Sequence, residues 1–370
     1  MALRILIADD SVVFRRAIAE ALAGIPDVEV VGQAPNGKIA VQKAMELRPD
    51  LLTLDMEMPE MDGLAVLDAL KQAGSATSVL VISAVTQRGG RLTMKALDKG
   101  AFDFLTKPQG KNAEESKAMM VRELVPKLRA FAHRREIRNI LHPQAAVSAL
   151  AAPTPRVAAK ASPPPARESI GRTIASTPEL VLIGVSTGGP AALARVLPLL
   201  PKDFPVPIVV VQHMPPIFTQ SLAESLASKC NLRVREAADG EKIEPGLVLI
   251  APGGQQMRLV PGLDTLARVQ ITDDPPENNC KPAVDYLFRS AANGLPGRAM
   301  AVILTGMGSD GTLGLRLLRR HGCFTIAQDE ATSVVYGMPK AAVEAGVVDV
   351  VLPLDAIAAK IAAAAKVRGS

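Results

Sequence analysis

Short apolar runs alternate with stretches of helical periodicity along residues 1–125. The strand candidates in this part of the chain are LRILIA, VEVVGQ, LLTLD, SVLVIS and AFDFL. Between the first two of them, Phe14, Ala17 and Ile18 recur at the spacing of an amphipathic helix. Strands and helices that alternate in this way form parallel sheets. The pattern therefore predicts a flavodoxin-like, doubly wound sheet for this domain.

A second alternating pattern occupies residues 179–370. Its strand candidates are ELVLIG, PIVVVQ, LVLIA, AMAVILT, CFTIA and VVDVVL, with helical patterns between them. Two shorter runs, MRLVP and LARVQIT, predict a small hairpin insertion. We therefore expect a second α/β domain with a Rossmann-like, doubly wound parallel sheet.

The segment between these two parts shows neither periodicity. Residues 126–178 contain the end of a predicted helix, followed by a run rich in Ala, Pro and Ser. The consecutive prolines Pro163, Pro164 and Pro165 exclude a helix there. We expect this segment to be a flexible, partly extended linker between the two domains.

The composition is that of a soluble globular protein. Hydrophobic residues make up 48% and charged residues 21%, and no apolar run approaches the ~20 residues that span a bilayer. The N-terminal LRILIADD lacks a secretory pattern. Cys230, Cys280 and Cys323 lie far apart without a CxxC pair, which argues against a disulfide framework and against a zinc site. We expect a cytoplasmic protein without membrane insertion.

The positive charge of the chain is concentrated in and around the linker. The formal net charge is +5, and residues 131–179 contribute +4 of it through seven Lys/Arg and three Glu. The predicted domains are therefore nearly neutral and lack the basic face that nucleic-acid binding needs. With no Trp and two Tyr, stacking platforms for bases are scarce as well.

Polar residues stand at the ends of predicted strands in the first domain. Asp9 and Asp10 end the first strand, Asp55 the third and Ser83 the fourth, and Lys107 follows the fifth. The carboxyl ends of parallel strands meet at one edge of a sheet, so these groups converge. Close carboxylates suit Mg²⁺, and an ammonium and a hydroxyl opposite them suit a phosphoryl group. The pattern indicates a site for a phosphoryl group and a hard cation.

A candidate nucleophile lies in the second domain. The run Gly184–Gly188 fits the G-x-S-x-G turn, which presents the hydroxyl of Ser186 at a helix N-terminus. Of the four histidines, only His213 directly follows a predicted strand, so it is the candidate base by elimination. Asp310 follows another strand and is a candidate to orient the imidazole. Backbone N–H groups near Met307 are candidate oxyanion donors.

The first domain resembles the receivers of two-component response regulators. The motifs DDS, LDMEMPEMDG, VISAV and TKP carry this resemblance over residues 3–125. It implies that Asp55 accepts a phosphoryl group from a histidine kinase. The implied Mg²⁺ ligands are Asp9, Asp10, Asp55 and the backbone carbonyl of Glu57. The implied phosphoryl-sensing residues are Ser83, Lys107 and the switching aromatic Phe104.

The second domain resembles the catalytic domain of chemotaxis protein-glutamate methylesterases over residues 180–365. The motifs that carry this resemblance are GVSTGGP, VVVQHMPP, ADGEKIEPG, IAPGG, AVILTGMGSDG and AQDEATSVVYGMP. It implies a triad of Ser186, His213 and Asp310, with Thr187 beside the nucleophile and the Met307 N–H in the oxyanion hole.

This second resemblance also implies an activity. The enzyme would remove methyl esters from glutamates, and deamidate glutamines, on chemotaxis receptors, with no cofactor for the ester chemistry. Phosphorylation of the receiver would activate it. Two positions depart from the family pattern, because Gln256 and Cys280 stand where many relatives have His. Neither belongs to the implied triad.

Other interpretations of the chain remain open at this point. Residues 306–311 also fit G-x-G-x-x-G, and Asp329 follows about twenty residues on, as in a dinucleotide site. Against that interpretation, Asp310 places a carboxylate in a loop that would have to bind a pyrophosphate. A non-enzymatic switch, a DNA-binding response regulator and an esterase that serves another sensory pathway are further alternatives.

Overall fold

The computed structural model describes residues 2–108, 110, 112–141 and 177–366. Most of the predicted linker, residues 142–176, lies outside the described residues. Two separate parallel sheets are present, one on each side of this gap. Within the described ranges, no helix is both long and apolar enough to cross a membrane.

The N-terminal unit contains a five-stranded parallel sheet of order β2-β1-β3-β4-β5. This order confirms the predicted flavodoxin-like fold. Its strands are β1 Leu3–Ala8, β2 Val28–Ala34, β3 Leu51–Asp55, β4 Ser78–Ser83 and β5 Asp103–Thr106. Its helices are α1 Val12–Ala23, α2 Gly37–Leu47, α3 Gly63–Gln72, α4 Gln87–Asp98 and α5 Ala113–Leu141.

The C-terminal unit contains a seven-stranded parallel sheet and a separate antiparallel hairpin. The strands are β6 Leu180–Val185, β7 Ile208–Gln212, β8 Arg233–Glu236, β9 Leu247–Ile250, β10 Gln256–Pro261, β11 Ala267–Thr272, β12 Ala299–Ile303, β13 Phe324–Gln328 and β14 Val350–Leu352. The helices are α6 Gly189–Val196, α7 Phe218–Ala227, α8 Val284–Gly294, α9 Thr312–Arg320, α10 Met338–Glu344 and α11 Leu354–Lys366. The sheet order is β14-β13-β12-β6-β7-β9-β8, and β10 pairs with β11 as the predicted hairpin insertion.

One strand of this sheet was not predicted from the sequence. The segment RVRE forms β8 at the edge of the sheet, paired with β9 alone. An edge strand forms backbone hydrogen bonds with one neighbour only, which leaves its other side open to pairing with another chain. A short length and charged side chains, as in RVRE, discourage such pairing. Only Val234 faces the core, so the segment lacks the apolar run that marks the other strands.

The central strands position the functional residues. All six residues of β6 are buried, as expected for a parallel strand covered by helices on both faces. Its neighbours are β12 on one side and β7 on the other. Residues that follow β6, β7 and β12 therefore meet at one edge of the sheet, and residues that follow β1 and β3 meet in the same way in the N-terminal unit.

The two units contact each other through α4 and α7. The Phe104 ring, at the end of the N-terminal sheet, stacks on Phe218 of α7 with 4.9 Å between ring centroids. An ion pair joins Lys229, just beyond the end of α7, to Asp98 at the end of α4. Val335 of the C-terminal unit also joins an apolar cluster of the N-terminal unit. The interface thus combines aromatic, apolar and ionic contacts.

Replacing Gly90 in α4 by Leu should separate α4 from α7 while leaving both sheets folded. A Cβ atom at Gly90 would lie 2.5 Å from the Ser221 hydroxyl oxygen of α7, so a Leu side chain acts as a wedge. Within α4 itself, Leu is a better helix former than Gly by roughly 1 kcal/mol. Hydrogen–deuterium exchange with mass spectrometry should show faster exchange in both helices.

The matched control for this variant is Gly24→Leu. Gly24 ends α1 with an ordinary negative φ, and no atom lies within 4 Å of the position its Cβ would take. Hydrogen–deuterium exchange in α4 and α7 of the Gly24→Leu variant should equal that of the wild-type chain. Unchanged exchange in the Gly90 variant would contradict close packing of these two helices.

Candidate functional sites

An acidic pocket lies at the carboxyl edge of the N-terminal sheet. Asp9 and Asp55 are buried, and Asp10 beside them is exposed. The three residues can offer carboxylate oxygens that lie within 4.8 Å of one another. The Lys107 Nζ atom lies 2.7 Å from Asp55 Oδ2 and 3.1 Å from Asp9 Oδ2. The structure therefore brings together the carboxylates and the ammonium group that the sequence places at strand ends.

The pocket holds more negative charge than Lys107 neutralises. Burial and the neighbouring Asp9 raise the pKa of Asp55, although Lys107 acts in the opposite direction. Burial alone would lower the pKa of Lys107, but Asp55 and Asp9 raise it overall. Asp9 Oδ2 is buried and has no partner in good hydrogen-bond geometry among the described residues, although the Lys107 ammonium lies 3.1 Å away. A set of three close carboxylates that outnumber the one ammonium group fits Mg²⁺, which prefers oxygen ligands.

The remaining predicted residues of this pocket point elsewhere or contact it through the backbone. The Ser83 hydroxyl donates to the Gly89 carbonyl of α4 at 3.2 Å, and Phe104 stacks on Phe218. The Glu57 N–H donates to Asp55 Oδ1 at 3.4 Å. Ser83 and Phe104 thus contact the elements that face the C-terminal unit.

The turn after β6 holds Ser186 in place through its backbone. The Ser186 N–H donates to the Thr305 carbonyl at 3.0 Å. Its own carbonyl accepts from Gly189 N–H at 2.8 Å and from Gln212 Nε2 at 2.9 Å. The side chain is half-buried, and within the described part of the chain its hydroxyl has no hydrogen-bond partner. The serine is therefore fixed in position with its hydroxyl left available.

His213 and Asp310 form a close pair beyond β7 and β12. The distance from His213 Nε2 to Asp310 Oδ2 is 2.7 Å, and the two side chains are 13% and 3% exposed. Asp310 also accepts hydrogen bonds from the backbone N–H groups of Val284 at 2.7 Å and Asp285 at 3.0 Å. These donors lie at the N-terminus of α8, where the helix dipole favours a negative charge. Asp310 is thus held as an ionised acceptor.

The pair shifts the pKa of both partners in opposite directions. Burial alone would lower the pKa of His213, but hydrogen bonds to Asp310 and Cys280 raise it to about 9. Burial alone would raise the pKa of Asp310, but His213 and the backbone donors lower it overall. The arrangement therefore stabilises the imidazolium form, as the orienting carboxylate of a catalytic triad does.

Two residues that support Asp310 were not identified from the sequence. Asn278 Nδ2 donates to Asp310 Oδ1 at 2.9 Å and to Asp285 Oδ2 at 3.0 Å. Burial, with the nearby Asp310, raises the pKa of Asp285 to about 6. Asn278 lies in an irregular loop with φ of +52°. No periodicity or motif marks such a position, so only the fold reveals the amide between two carboxylates.

The loop after β12 places Met307 next to the serine. A Cβ atom on Gly306 would lie 2.8 Å from Ser186 Cβ, so the backbones approach closely here. The Gly306 N–H and carbonyl are both hydrogen-bonded, to Val335 and to the start of α10. The Met307 side chain is 43% exposed, and within the described ranges its N–H has no acceptor. Thr187 is buried beside Ser186, and its carbonyl accepts from Thr305.

Of the two departures from the family pattern, Cys280 lies beside His213, and Gln256 contacts the loop that carries Cys280. Cys280 Sγ lies 3.5 Å from His213 Nδ1. Gln256 is fully buried, and its amide nitrogen donates to the carbonyls of Pro275 at 3.1 Å and Cys280 at 3.3 Å. Its amide oxygen accepts from Ala283 N–H at 2.9 Å. Gln256 therefore fixes the loop that carries Cys280.

The glycine-rich loop 306–311 does not have the form of a pyrophosphate site. The Asp310 carboxylate within it accepts the Gly311 N–H at 3.0 Å as well as the bonds already described. A negative charge therefore occupies the loop where a dinucleotide would place its own negative charge. This geometry disfavours the dinucleotide alternative.

A receiver-type sheet with an acidic pocket, joined to an α/β unit with Ser, His and Asp at adjacent strand ends, defines a response regulator with a hydrolase output unit. Residues 5–117 match the response regulator receiver domain family, and residues 181–361 match the CheB methylesterase family. The chain belongs to the protein-glutamate methylesterase/protein-glutamine glutaminase family. This confirms the resemblance found in the sequence.

Relatives of this name align along almost the whole chain. One from Desulfotalea psychrophila is 47% identical and covers 97% of each chain. One from Trichodesmium erythraeum is 43% identical, again over 97% of each chain. The crystal structure of the Thermotoga maritima CheB methylesterase catalytic domain is 46% identical, with a TM-score of 0.49, and covers 51% of this chain and 99% of that one.

Asp310→Asn should lower the pKa of the His213 imidazole. In the wild-type chain we expect a value of about 9, above the ordinary value of about 6.5. The variant removes the carboxylate charge that stabilises the imidazolium, while burial continues to oppose it. Nitrogen-detected NMR of the histidine rings across a pH series measures this titration.

Asp264→Asn is the control, because it removes one carboxylate from the hairpin surface, where Asp264 pairs with Lys242 and Arg268. This substitution should not change the pKa of His213. An Asp310→Asn protein with the wild-type titration would show that this carboxylate does not set the charge of His213.

Proposed function

We propose that this chain is a serine esterase that hydrolyses the methyl esters of glutamyl side chains on chemotaxis receptors and deamidates glutaminyl side chains there. The observation that carries the proposal is the His213–Asp310 pair, which lies at the strand ends on either side of Ser186. Family membership supports the same activity, because the relatives carry this double name. The ester chemistry needs only side chains and backbone N–H groups of the chain itself.

His213 acts as the base for Ser186. Because Nε2–H of the neutral ring is bonded to Asp310, the lone pair of the ring is on Nδ1, 3.5 Å from Cys280 Sγ. This nitrogen takes the hydroxyl proton as Ser186 Oγ attacks the ester carbonyl. The hydrogen bond between the two side chains forms when substrate is bound, as catalytic contacts often tighten only in that complex.

The carbonyl oxygen becomes negative in the tetrahedral intermediate. The free Met307 N–H, on the loop that touches Ser186, stabilises that charge, and one such donor is worth about 100- to 1,000-fold in rate. His213 then gives its proton to the leaving methoxide, and methanol departs. For an amide, the same proton goes to the leaving nitrogen, and ammonia departs. Water, deprotonated by His213, releases the free carboxylate from the acyl-enzyme.

Ser186→Ala should reduce methanol release from methylated receptor membranes by at least about 1,000-fold, because the covalent step is lost. Ser228→Ala is the control: its hydroxyl is exposed at the end of α7 and donates only to Ser225. Gas chromatography of released methanol measures both. Wild-type release by the Ser186 variant would exclude the assigned nucleophile.

The N-terminal unit restricts access to this site when it is not phosphorylated. It packs on α7, which begins five residues after His213. It also contacts Val335, whose backbone is bonded to Thr305 and Gly306 beside the serine turn. The substrate is a helix of a large receptor, so a unit docked at this rim blocks its approach.

Phosphorylation of Asp55 weakens this docking through α4. A phosphoryl group adds charge and acceptor oxygens to the pocket, and these attract Lys107 and the Ser83 hydroxyl. Ser83 then leaves the Gly89 carbonyl of α4, and Phe104 leaves its stack on Phe218. Gly90, the next residue of α4, touches Ser221 of α7, so a displaced α4 loosens the interface directly.

Asp9, Asp10 and Asp55, together with the Glu57 carbonyl, would hold Mg²⁺, which would supply positive charge beside a phosphoryl group at Asp55. A partner histidine kinase supplies the phosphoryl group. The receptors are the substrates, and neither nucleic acid nor membrane insertion is part of this role.

Asp55→Asn should abolish activation by a small phosphodonor, because the acceptor carboxylate is gone. The ratio of methanol release with donor to release without donor, both at saturating Mg²⁺, should fall to one. Asp68→Asn is the control, since Asp68 pairs with Lys99 on the surface, outside the pocket. A ratio in the Asp55 variant equal to that of the wild type would overturn the phosphorylation switch while leaving the esterase intact.

A further inference from the structure

Two groups of side chains in the described ranges are close enough to share a metal ion. The first is the oxygen-only pocket of Asp9, Asp10 and Asp55. The second is formed by His213, Cys280 and Asp310, whose ligand atoms lie within 4.8 Å of one another. The second group offers nitrogen, sulfur and oxygen, and it includes a thiol that the hydrolytic mechanism does not use.

The spacing of the second group fits a tetrahedral zinc ion. With Zn–S near 2.3 Å and Zn–N near 2.05 Å, a nitrogen and a sulfur on one tetrahedral ion are about 3.6 Å apart. The observed distance from His213 Nδ1 to Cys280 Sγ is 3.5 Å. Asp310 is bonded to the other nitrogen of the same ring, which faces away from Nδ1. The imidazole therefore has to turn and release Asp310 before Nδ1 and one carboxylate oxygen reach the same ion, and the ligand atoms are close enough for this. Water would complete the fourth position.

The loop that carries Cys280 is already organised. Gln256 bonds to the Cys280 carbonyl, and the backbones of Glu277 and Cys280 exchange two hydrogen bonds of 3.1 and 2.8 Å. Asp310 is held by α8 and Asn278 in the same way. Cys280 and Asp310 are thus ordered before the ion arrives, and the imidazole is the ligand that has to turn.

We propose that His213, Cys280 and Asp310 form a site for a thiophilic divalent cation of the zinc type, and that its occupancy switches off the esterase. Binding releases the Cys280 thiol proton to solvent and uses the Nδ1 lone pair of His213. The same lone pair removes the Ser186 proton, so metal binding and hydrolysis exclude each other. The inhibition rests on the proposed function, but the binding does not.

The two metal sites of this chain select different ions. Nitrogen and sulfur ligands favour zinc or cobalt, and carboxylates alone favour Mg²⁺. Excess Mg²⁺ therefore fills the acidic pocket without competing for His213 and Cys280. The zinc-type site can be measured in the full chain with Mg²⁺ present throughout.

The first test is titration of the full chain with Co²⁺ in excess Mg²⁺, followed by absorption spectroscopy. One equivalent should produce a thiolate-to-cobalt charge-transfer band and the visible bands of four-coordinate cobalt. Loss of a residue that merely supports a ligand costs about 10- to 100-fold in metal affinity, so Cys280→Ser should weaken binding at least ten-fold and remove the charge-transfer band. Cys280→His should retain tight binding without that band.

Cys230→Ser is the matched control, because Cys230 lies after α7 and belongs to neither group. It should behave as the wild type. A charge-transfer band that persists in Cys280→Ser, or wild-type affinity in that variant, would overturn the proposed site.

The second test measures methanol release with and without Zn²⁺, each variant being compared with itself. The wild-type chain should lose activity with added Zn²⁺ and recover it with a zinc-selective chelator. Cys280→Ser should need at least ten-fold more Zn²⁺, and Cys280→His should restore the wild-type sensitivity. Equal sensitivity of Cys280→Ser and wild type would overturn the inhibition. A chain without esterase activity would refute the proposed function instead, and the cobalt spectrum would still report on the site.

Discussion

The buried Asp310 carboxylate is the interaction on which the catalytic unit depends. It joins the loop after β12 to the N-terminus of α8 through the Val284 and Asp285 N–H groups, and to the loop after β7 through His213. A buried charge that loses its partner costs about 3–5 kcal/mol, so these elements are strongly held in one arrangement. The histidine orientation follows from this arrangement, and the available nitrogen of the ring follows from the orientation.

The parallel arrangement of the strands explains the position of both sites of the chain. Strand ends meet at one edge, which collects carboxylates and a lysine in one unit and a serine, a histidine and a carboxylate in the other. The helix α4 contacts both the acidic pocket and the C-terminal unit. Ser83 touches α4 from inside the pocket, and Gly90 touches Ser221 from the outer face. In the proposed function, a phosphoryl group on Asp55 acts on the C-terminal unit through this helix.

His213 belongs both to the proposed hydrolytic site and to the proposed metal site. Asp310 holds one of its nitrogens, and the second faces the Cys280 sulfur. In the proposed mechanism, the nitrogen that serves as base is also the one that a thiophilic ion would take. Spacing along the chain argued against a zinc site because the cysteines are far apart in sequence. Folding brings one of them to a histidine 67 positions away, and a mixed ligand set of this kind has no sequence signature.

The sequence by itself determined the two parallel sheets and the candidate residues at their strand ends. Apolar runs of strand length predict the sheets, and the charged or hydroxyl residues after several of these runs predict the sites, because strand direction alone decides which edge those residues reach. The short edge strand β8 was not predicted, because three of its four residues are charged and it therefore lacks an apolar run. Only the tertiary structure decided that Asn278 lies between Asp285 and Asp310, that Gln256 positions the loop of Cys280, and that Phe104 stacks on Phe218. These contacts join residues from irregular loops and from separate units, and no local periodicity encodes them.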